Sequence, residues 1–314
     1  MSKIIVTGGA GFIGSHITDR LINDGHTVVV LDNLTTGFKE QVNKKAEFIK
    51  SDIKNLEEIT PHFKGIDYVF HLAARARIQP SIIDPAPTFH DNVIGTLNVL
   101  LAAKEAKVKR VIYSASSSSY GDQKTLPLHE EMISGFKSPY SLSKYVGEAM
   151  CKLFSDLYGI ETVSLRYFNV YGPRQLVEGA YATVVGIFLQ QLKENKPLTI
   201  VSPGTIRRDF THVTDVVEAN ILAMKSKKIG KGELFNIGRG ENYSINEVAS
   251  LILSKSKPQV RLAGVSFLVS PHATYIPKRP GETLVTLADN KKAQQLLGWK
   301  PKVSFEEGIS MLTK

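Results

Sequence analysis

Tyr140 and Lys144 stand four residues apart in the run Ser138-Pro139-Tyr140-Ser141-Leu142-Ser143-Lys144. On a helix that spacing puts a phenol and an ammonium on one face. A neighbouring cation favours phenolate and lowers a pKa that starts near ~10, so the pair has the makings of a general base. A surface tyrosine and a solvated lysine would show the same spacing, and the surrounding elements must decide between the two. Ser138 is a good N-cap, and Pro139 suits the first helical position, where its missing N–H loses nothing. The pattern predicts a helix from Pro139 to about Tyr158, with Gly159 as its stop.

A second chemical feature lies near the start. The apolar run Ile4-Ile5-Val6 leads into Thr7-Gly8-Gly9-Ala10-Gly11-Phe12-Ile13-Gly14 and then an amphipathic helix ending near Gly25. Glycines at 8, 11 and 14 permit a tight turn, close approach of backbone to a pyrophosphate, and close packing of helix on strand. The free N–H groups at the helix start make an anion site. The next apolar run, His26 to Leu31, ends at Asp32-Asn33. An acid at that strand end suits the adenosine ribose hydroxyls and repels a 2′-phosphate, which points to NAD over NADP; the bland reading of Asp32 is a turn residue.

The alternation of strand and helix continues. Strands are predicted at Glu47–Lys50, ending at Ser51-Asp52-Ile53, and at Tyr68–His71, running into the small residues Leu72-Ala73-Ala74. A helix spans about Pro85 to Ala106 and includes Asn92. Further strands are Arg110–Tyr113, opening into the serine run Ser114 to Ser119, and Glu161–Tyr167. Such alternation implies an α/β fold with a doubly wound parallel sheet and ligands at the carboxyl ends of its strands. The serines are either a polar loop or hydroxyls aimed at such a ligand. After Gly172 the rhythm changes. A smaller second α/β domain is expected over 173–206 and 238–314, covering the first domain at 1–172 with a return segment at 207–237. Ser244 and Glu247 read as a capping box, and Arg174, Arg208 and Arg279 are candidate phosphate clamps.

The 314 residues are 42% hydrophobic with a net charge of +9, enough for a large core. The basic residues are scattered and accompany no nucleic-acid recognition motif. Cys151 is the only cysteine, which excludes an internal disulfide and a thiolate metal site and fits a reducing cytoplasm. No leader or apolar run near ~18 residues is read, so neither signal peptide nor membrane span is expected.

Taken as an ordered set, these motifs resemble the extended short-chain dehydrogenase/reductases, and within them the UDP-hexose 4-epimerases. The set comprises the glycine loop, Asp32, Asp52-Ile53, His71-Leu72-Ala73-Ala74, Asp91-Asn92, the serine run with Tyr120-Gly121, Tyr140/Lys144, Arg166 through Pro173, Arg208-Asp209-Phe210 and Arg279-Pro280-Gly281. The resemblance implies a Rossmann sheet holding NAD through Gly8, Gly11, Phe12, Ile13, Gly14, Asp32, Asn33, Asp52, Ile53, Leu72, Ala73, Ala74, Asn92, Tyr140, Lys144 and Tyr167. It implies Tyr140 as base, Ser116 as its hydroxyl partner, and Lys144 as the residue that lowers the tyrosine pKa. Substrate contacts implied are Arg77, Ser116, Ser117, Ser118, Tyr140, Asn169, Arg174, Arg208, Arg279 and Thr286. The implied reaction passes through a 4-keto sugar that turns over in the pocket, with NAD regenerated each cycle. Related dehydratases carry an Asp-Glu pair where this chain has Ser117 and Ser118, so dehydration is disfavoured. Thr286, at the position that gates an N-acetyl group, leaves room for one. Arg75 and Arg77 depart from the pattern: they would suit the carboxylate of UDP-glucuronate, whose 4-epimerase or decarboxylase is the alternative, or equally a diphosphate or solvent; a catalytically silent NAD-binding regulator is the alternative of another class. A homodimer through the 85–106 and 139–158 helices is implied, with no metal.

Overall fold

The structure is a computed structural model that describes residues 1–180, 182–256 and 272–313. Seven strands form one parallel sheet. β1 (Lys3–Thr7), β2 (Thr27–Asp32), β3 (Glu47–Lys50), β4 (Tyr68–His71), β5 (Arg110–Ser116) and β6 (Glu161–Tyr167) are joined by a last strand at Lys231–Ile237. Their spatial order is the last strand, then β6, β5, β4, β1, β2, β3. The chain thus runs outward from β1 through β2 and β3, then returns to place β4 on the other side of β1. The crevice at that reversal, beyond the carboxyl ends of the strands, is where such sheets bind ligands.

The strands are near-continuous apolar runs because both faces are covered. Ile4, Val6, Val28 and Val30 face one cluster, completed by the helices at Phe12–Asn23 and Val213–Lys225. Ile5, Val29, Leu31 and Val69 face the other, with residues of the helices at Gly95–Glu105 and Pro139–Tyr158. A third cluster lies outside the sheet and gathers Tyr171, Phe188, Phe210, Ile252 and Phe305. Ala293, Leu297 and Trp299, near the chain's end, pack into the first cluster, so the last segment is shared between the sheet and the outer unit. Among the described residues no helix is long and apolar enough to cross a membrane.

Two local features matter for the site. The Pro139–Tyr158 helix has the expected caps: Ser138 Oγ accepts from Ser141 N–H, and Gly159 closes it at φ +68°. The helical run after Pro85 contains a π turn at His90–Ile94, which the continuous pattern of the sequence does not announce. Ser244 and Glu247 cap each other reciprocally, as their spacing predicts.

Candidate active site

The glycine loop follows β1 directly. Gly8 has φ +71°, and a Cβ there would lie 2.6 Å from the Ala73 nitrogen; one at Gly14 would lie 2.2 Å from the Gly8 carbonyl oxygen. Neither position admits a side chain. The helix at Phe12–Asn23 begins at Gly11 with no side-chain cap, so its N-terminal N–H groups serve the crevice. At the end of β2, buried Asp32 accepts from Ala10 N–H at 3.0 Å and Leu34 N–H at 2.8 Å. Burial pushes its carboxyl above the usual range, and those two N–H groups pull it back. Asn33 Nδ2 donates to Asp52 Oδ2 at 3.1 Å, linking the β2 and β3 ends. A backbone cradle that a Cβ would fill, beside a buried carboxylate, fits a dinucleotide.

Strand register sets the reactive end. Ser116 pairs with Tyr167 at the last rung between β5 and β6. The Ser116 and Ser118 hydroxyls share a hydrogen bond at 2.9 Å, and Ser118 N–H donates to Ser116 Oγ at 3.2 Å. Tyr140, in the first turn of its helix, lines the cleft with Ser116; burial raises its pKa, and Ser116 and then the Arg77 charge partly oppose that rise. Lys144 is 4% exposed. Its Nζ donates to the Ser114 carbonyl at 2.8 Å and sits 5.0 Å from the Tyr113 ring centre. Burial brings its pKa down to about 8 against the opposing charges of Glu148 and Cys151. Spacing alone assigns a depression of the tyrosine pKa to Lys144; here the ammonium turns to a β5 carbonyl, and the net shift at Tyr140 is upward by burial, opposed by Ser116 and Arg77. Beneath them, His71 is clasped between Thr7 Oγ1 at 2.7 Å and Thr96 Oγ1 at 2.9 Å, and burial holds its pKa at about 3. It is neutral, so it adds no charge to the floor.

On the opposite wall, Arg208 is 13% exposed, with Glu282 Oε2 at 3.9 Å from its Nη2 and the Arg207 carbonyl at 3.0 Å from its Nη1. Burial lowers its pKa, opposed by Glu282 and then Asp122. A guanidinium so enclosed and so loosely paired favours an anionic ligand. Arg174 differs, being paired with Asp19 at 2.7 Å. Asn169, at φ +26°, donates to the Asp209 carbonyl at 2.9 Å and to Thr286 Oγ1 at 3.3 Å. Thr286 Oγ1 also accepts from Asp209 N–H at 3.1 Å.

Every residue named in the sequence as a cofactor, catalytic or substrate contact lines one cleft of about 520 Å³, except Asn92. Asn92 sits in the π turn, 1% exposed. Its amide oxygen takes Arg75 N–H at 2.7 Å while its nitrogen donates to the Arg75 carbonyl and to Ser143 Oγ. It braces the loop after β4 against the Tyr140 helix. Arg75 is held by Asp91 at 2.5 Å. Sequence reasoning missed Ser81, whose Oγ accepts from Tyr140 N–H at 3.1 Å, and Val185 and Phe188, which line the cleft from the outer cluster; it quoted Phe210 within a motif but gave it no role at the cleft it lines. No spacing marks them, because each reaches the site through tertiary packing.

Residues 4–238 match the model of the NAD dependent epimerase/dehydratase family. A Methanocaldococcus jannaschii protein provisionally named a UDP-glucose 4-epimerase is 41% identical over 309 residues, covering 98% of this chain and 95% of that one. The solved UDP-glucose 4-epimerase of Thermotoga maritima with UDP-glucose superposes at TM-score 0.92 with 38% identity, over 99% of this chain and 97% of the other. The UDP-N-acetylglucosamine 4-epimerase of Methanobrevibacter ruminantium, in complex with UDP-N-acetylmuramic acid, gives 0.88 and 34% over 99% and 97%. The glycine cradle, the parallel sheet, Ser116 and Tyr140 all lie within the stretch that matches, and the chain belongs to the NAD dependent epimerase/dehydratase family.

Proposed function

We propose that the chain is an NAD-dependent UDP-hexose 4-epimerase, interconverting UDP-glucose with UDP-galactose and their N-acetyl counterparts. The observation that carries the reading is that Ser116 and Tyr140 line, side by side, a cleft that also holds the enclosed Arg208. Gly8 to Gly14 would hold the cofactor pyrophosphate, Asp32 and Asn33 a ribose, and Asp52 and Ile53 the adenine edge. Leu72, Ala73, Ala74 and Tyr167 would flank the other half. Bound NAD supplies a reversible hydride acceptor for the sugar C4. Tyr140 takes the proton of the 4-hydroxyl and later returns it, while Ser116, fixed by Ser118, holds the same oxygen. Arg208, Arg279 and Asn169 grip the diphosphate, leaving the sugar free to present either face. Val185 and Phe188, from the second unit expected over 173–206, supply an apolar wall for the rest of the nucleotide.

Ser117 and Ser118 offer no acid–base pair for loss of water, which supports epimerisation over dehydration. The Thr286 side chain leaves space that a larger residue would fill, which supports acceptance of an N-acetyl group. The Arg77 charge in the same cleft supports a second reading, a UDP-glucuronate 4-epimerase. The proposal extends to a homodimer, supported by exposed Ile94, Leu153 and Leu157 on the two helices concerned, and to a cytoplasmic location, which the lone Cys151 fits.

Proton NMR of the purified protein with UDP-glucose, UDP-N-acetylglucosamine or UDP-glucuronate, without added NAD, tests this. Conversion of the first two to their C4 epimers is expected. Reaction of UDP-glucose alone refutes the Thr286 reading, reaction of UDP-glucuronate alone makes the second reading correct, and no reaction in any tube defeats the proposal. For Arg208→Met, the expected outcome is a KM for UDP-glucose raised roughly 10- to 100-fold, with kcat less affected, because a charged hydrogen bond to a diphosphate is worth ~1.5–3 kcal/mol. Steady-state kinetics showing an unchanged KM would remove Arg208 from the substrate.

A further inference from the structure

Arg166 on β6 and Glu148 on the Tyr140 helix form an ion pair with side chains 2% and 7% exposed. The contact is bidentate, Nε to Oε1 at 2.9 Å and Nη2 to Oε2 at 2.6 Å. The guanidinium also lies 4.3 Å over the ring of Tyr120, whose hydroxyl donates to Asn236 Oδ1 at 2.7 Å. Arg166 Nη1 is buried with no acceptor among the described residues. Burying two charges costs several kcal/mol for each ion, and apolar replacements of similar volume are often as stable. Stability alone is therefore a poor reason for this pair.

Its position supplies another. Glu148 follows Lys144 by one helical turn, so both project from the same face, and both are buried. Of the other ionisable groups around Lys144, Cys151 alone also favours the ammonium, and by less than Glu148. On its own helix, the Cys151 thiol is pushed up to about 12 by burial, and burial also raises the Tyr140 phenol. From β5, Tyr113 is raised well above its ordinary value; from β4, His71 is neutral. The loop after β4 brings Arg77, a further positive charge, into the cleft. Among these neighbours Glu148 is the one carboxylate; burial raises its pKa, the Arg166 hydrogen bonds and the Arg166 and Lys144 charges oppose that rise, and Arg166 fixes where the carboxylate lies.

We propose that Glu148 is a positioning residue, clamped by Arg166 to provide the buried negative charge that keeps Lys144 an ammonium at the reactive end of the cleft. This rests on the reading above, in which Tyr140 is the base, and adds that Lys144, one turn along the same helix and in the same cleft, serves the site as a cation. Without Glu148 the cation loses its compensation in a desolvated site, so its pKa falls and the neutral amine takes over at lower pH.

The test is a titration of holoenzyme labelled with ¹³Cε-lysine, the Lys144 signal being identified by its absence in Lys144→Arg. In the wild type the midpoint should lie near the value of about 8 that burial and Glu148 set between them. Glu148→Gln keeps the shape and one hydrogen bond to Arg166, and should move the midpoint down by about one pH unit or more. Should that variant fail to fold, Glu148→Gln/Arg166→Gln removes both charges while keeping the polar contacts, and a downward shift is still expected. An unmoved midpoint overturns the proposal. The alkaline limb of kcat, measured on the same samples, separates this inference from its foundation. If the limb moves with the Lys144 midpoint, both stand. If the midpoint moves and the limb does not, Glu148 still controls Lys144, but the chemical role assigned to Lys144 is wrong.

Discussion

Tyr140→Phe should fold, keep its NAD and lose roughly 10²- to 10⁴-fold in turnover, the range expected when a positioned acid–base group is removed. The substitution deletes one oxygen and little else. The helix that carries it is capped by Ser138 and Ser141, and the Tyr140 N–H bond to Ser81 uses only backbone on that side. Nothing in the glycine cradle depends on the phenol. Ser116 would remain, held by Ser118, but a serine with no base beside it does not accept the sugar proton at neutral pH. Initial rates by NMR, with cofactor content from the nucleotide released on denaturation, check both halves. Turnover within tenfold of wild type would place the base elsewhere.

Gly8→Ala should abolish NAD retention and destabilise the whole sheet. The left-handed backbone at Gly8 costs an L-residue ~1–2 kcal/mol. The added Cβ would also fall 2.6 to 2.9 Å from three backbone atoms of Leu72 and Ala73, which cannot swing aside as a side chain can. Either β4 shifts away from β1 or the turn opens, and both changes spoil the cradle. Gly25→Ala is the matched control: its φ is +84°, yet nothing lies within 4 Å of its Cβ position. It should lose ~1 kcal/mol and hold NAD normally. Melting temperature and NAD-to-protein ratio after gel filtration read the difference. If Gly8→Ala melts and binds like the control, the close approach of the two loops is not what shapes the site.

Local physics made much of this molecule legible. The caps of the Tyr140 helix, the glycine turn and the apolar strands are consequences of short-range sterics and hydrogen bonding, and the parallel sheet follows from their alternation. The α/β doubly wound architecture is accordingly as expected. What escaped was set by distant parts of the chain. Tyr140 and Lys144 do share a face, but the direction of the ammonium is decided by a Ser114 carbonyl on β5. Arg77 reads as an odd residue in a loop until the short helix that follows it, at Ile78–Ile83, is seen tied to Tyr140 through Ser81. Asn92 belongs to a motif whose place in the family suggests the cofactor, yet the π turn directs it into the brace behind the cleft. Nothing in the neighbouring residues marks that extra turn residue, because the gain lies in contacts with Arg75 and Ser143.

The strand at Lys231–Ile237 gives the sheet its final partner for β6, with Tyr167 aligned on Ile237. During synthesis β6 leaves the ribosome well before that partner does, and the intervening chain is spent largely on other elements. Until the partner arrives, β6 is an open edge bearing buried-type residues such as Val163 and Leu165, the kind of surface that recruits foreign strands. The reactive end of the cleft hangs on this edge. A nascent chain therefore carries Ser116, Tyr140 and Lys144 before the strand that completes the sheet beside them is made, and that closure is a long-range pairing.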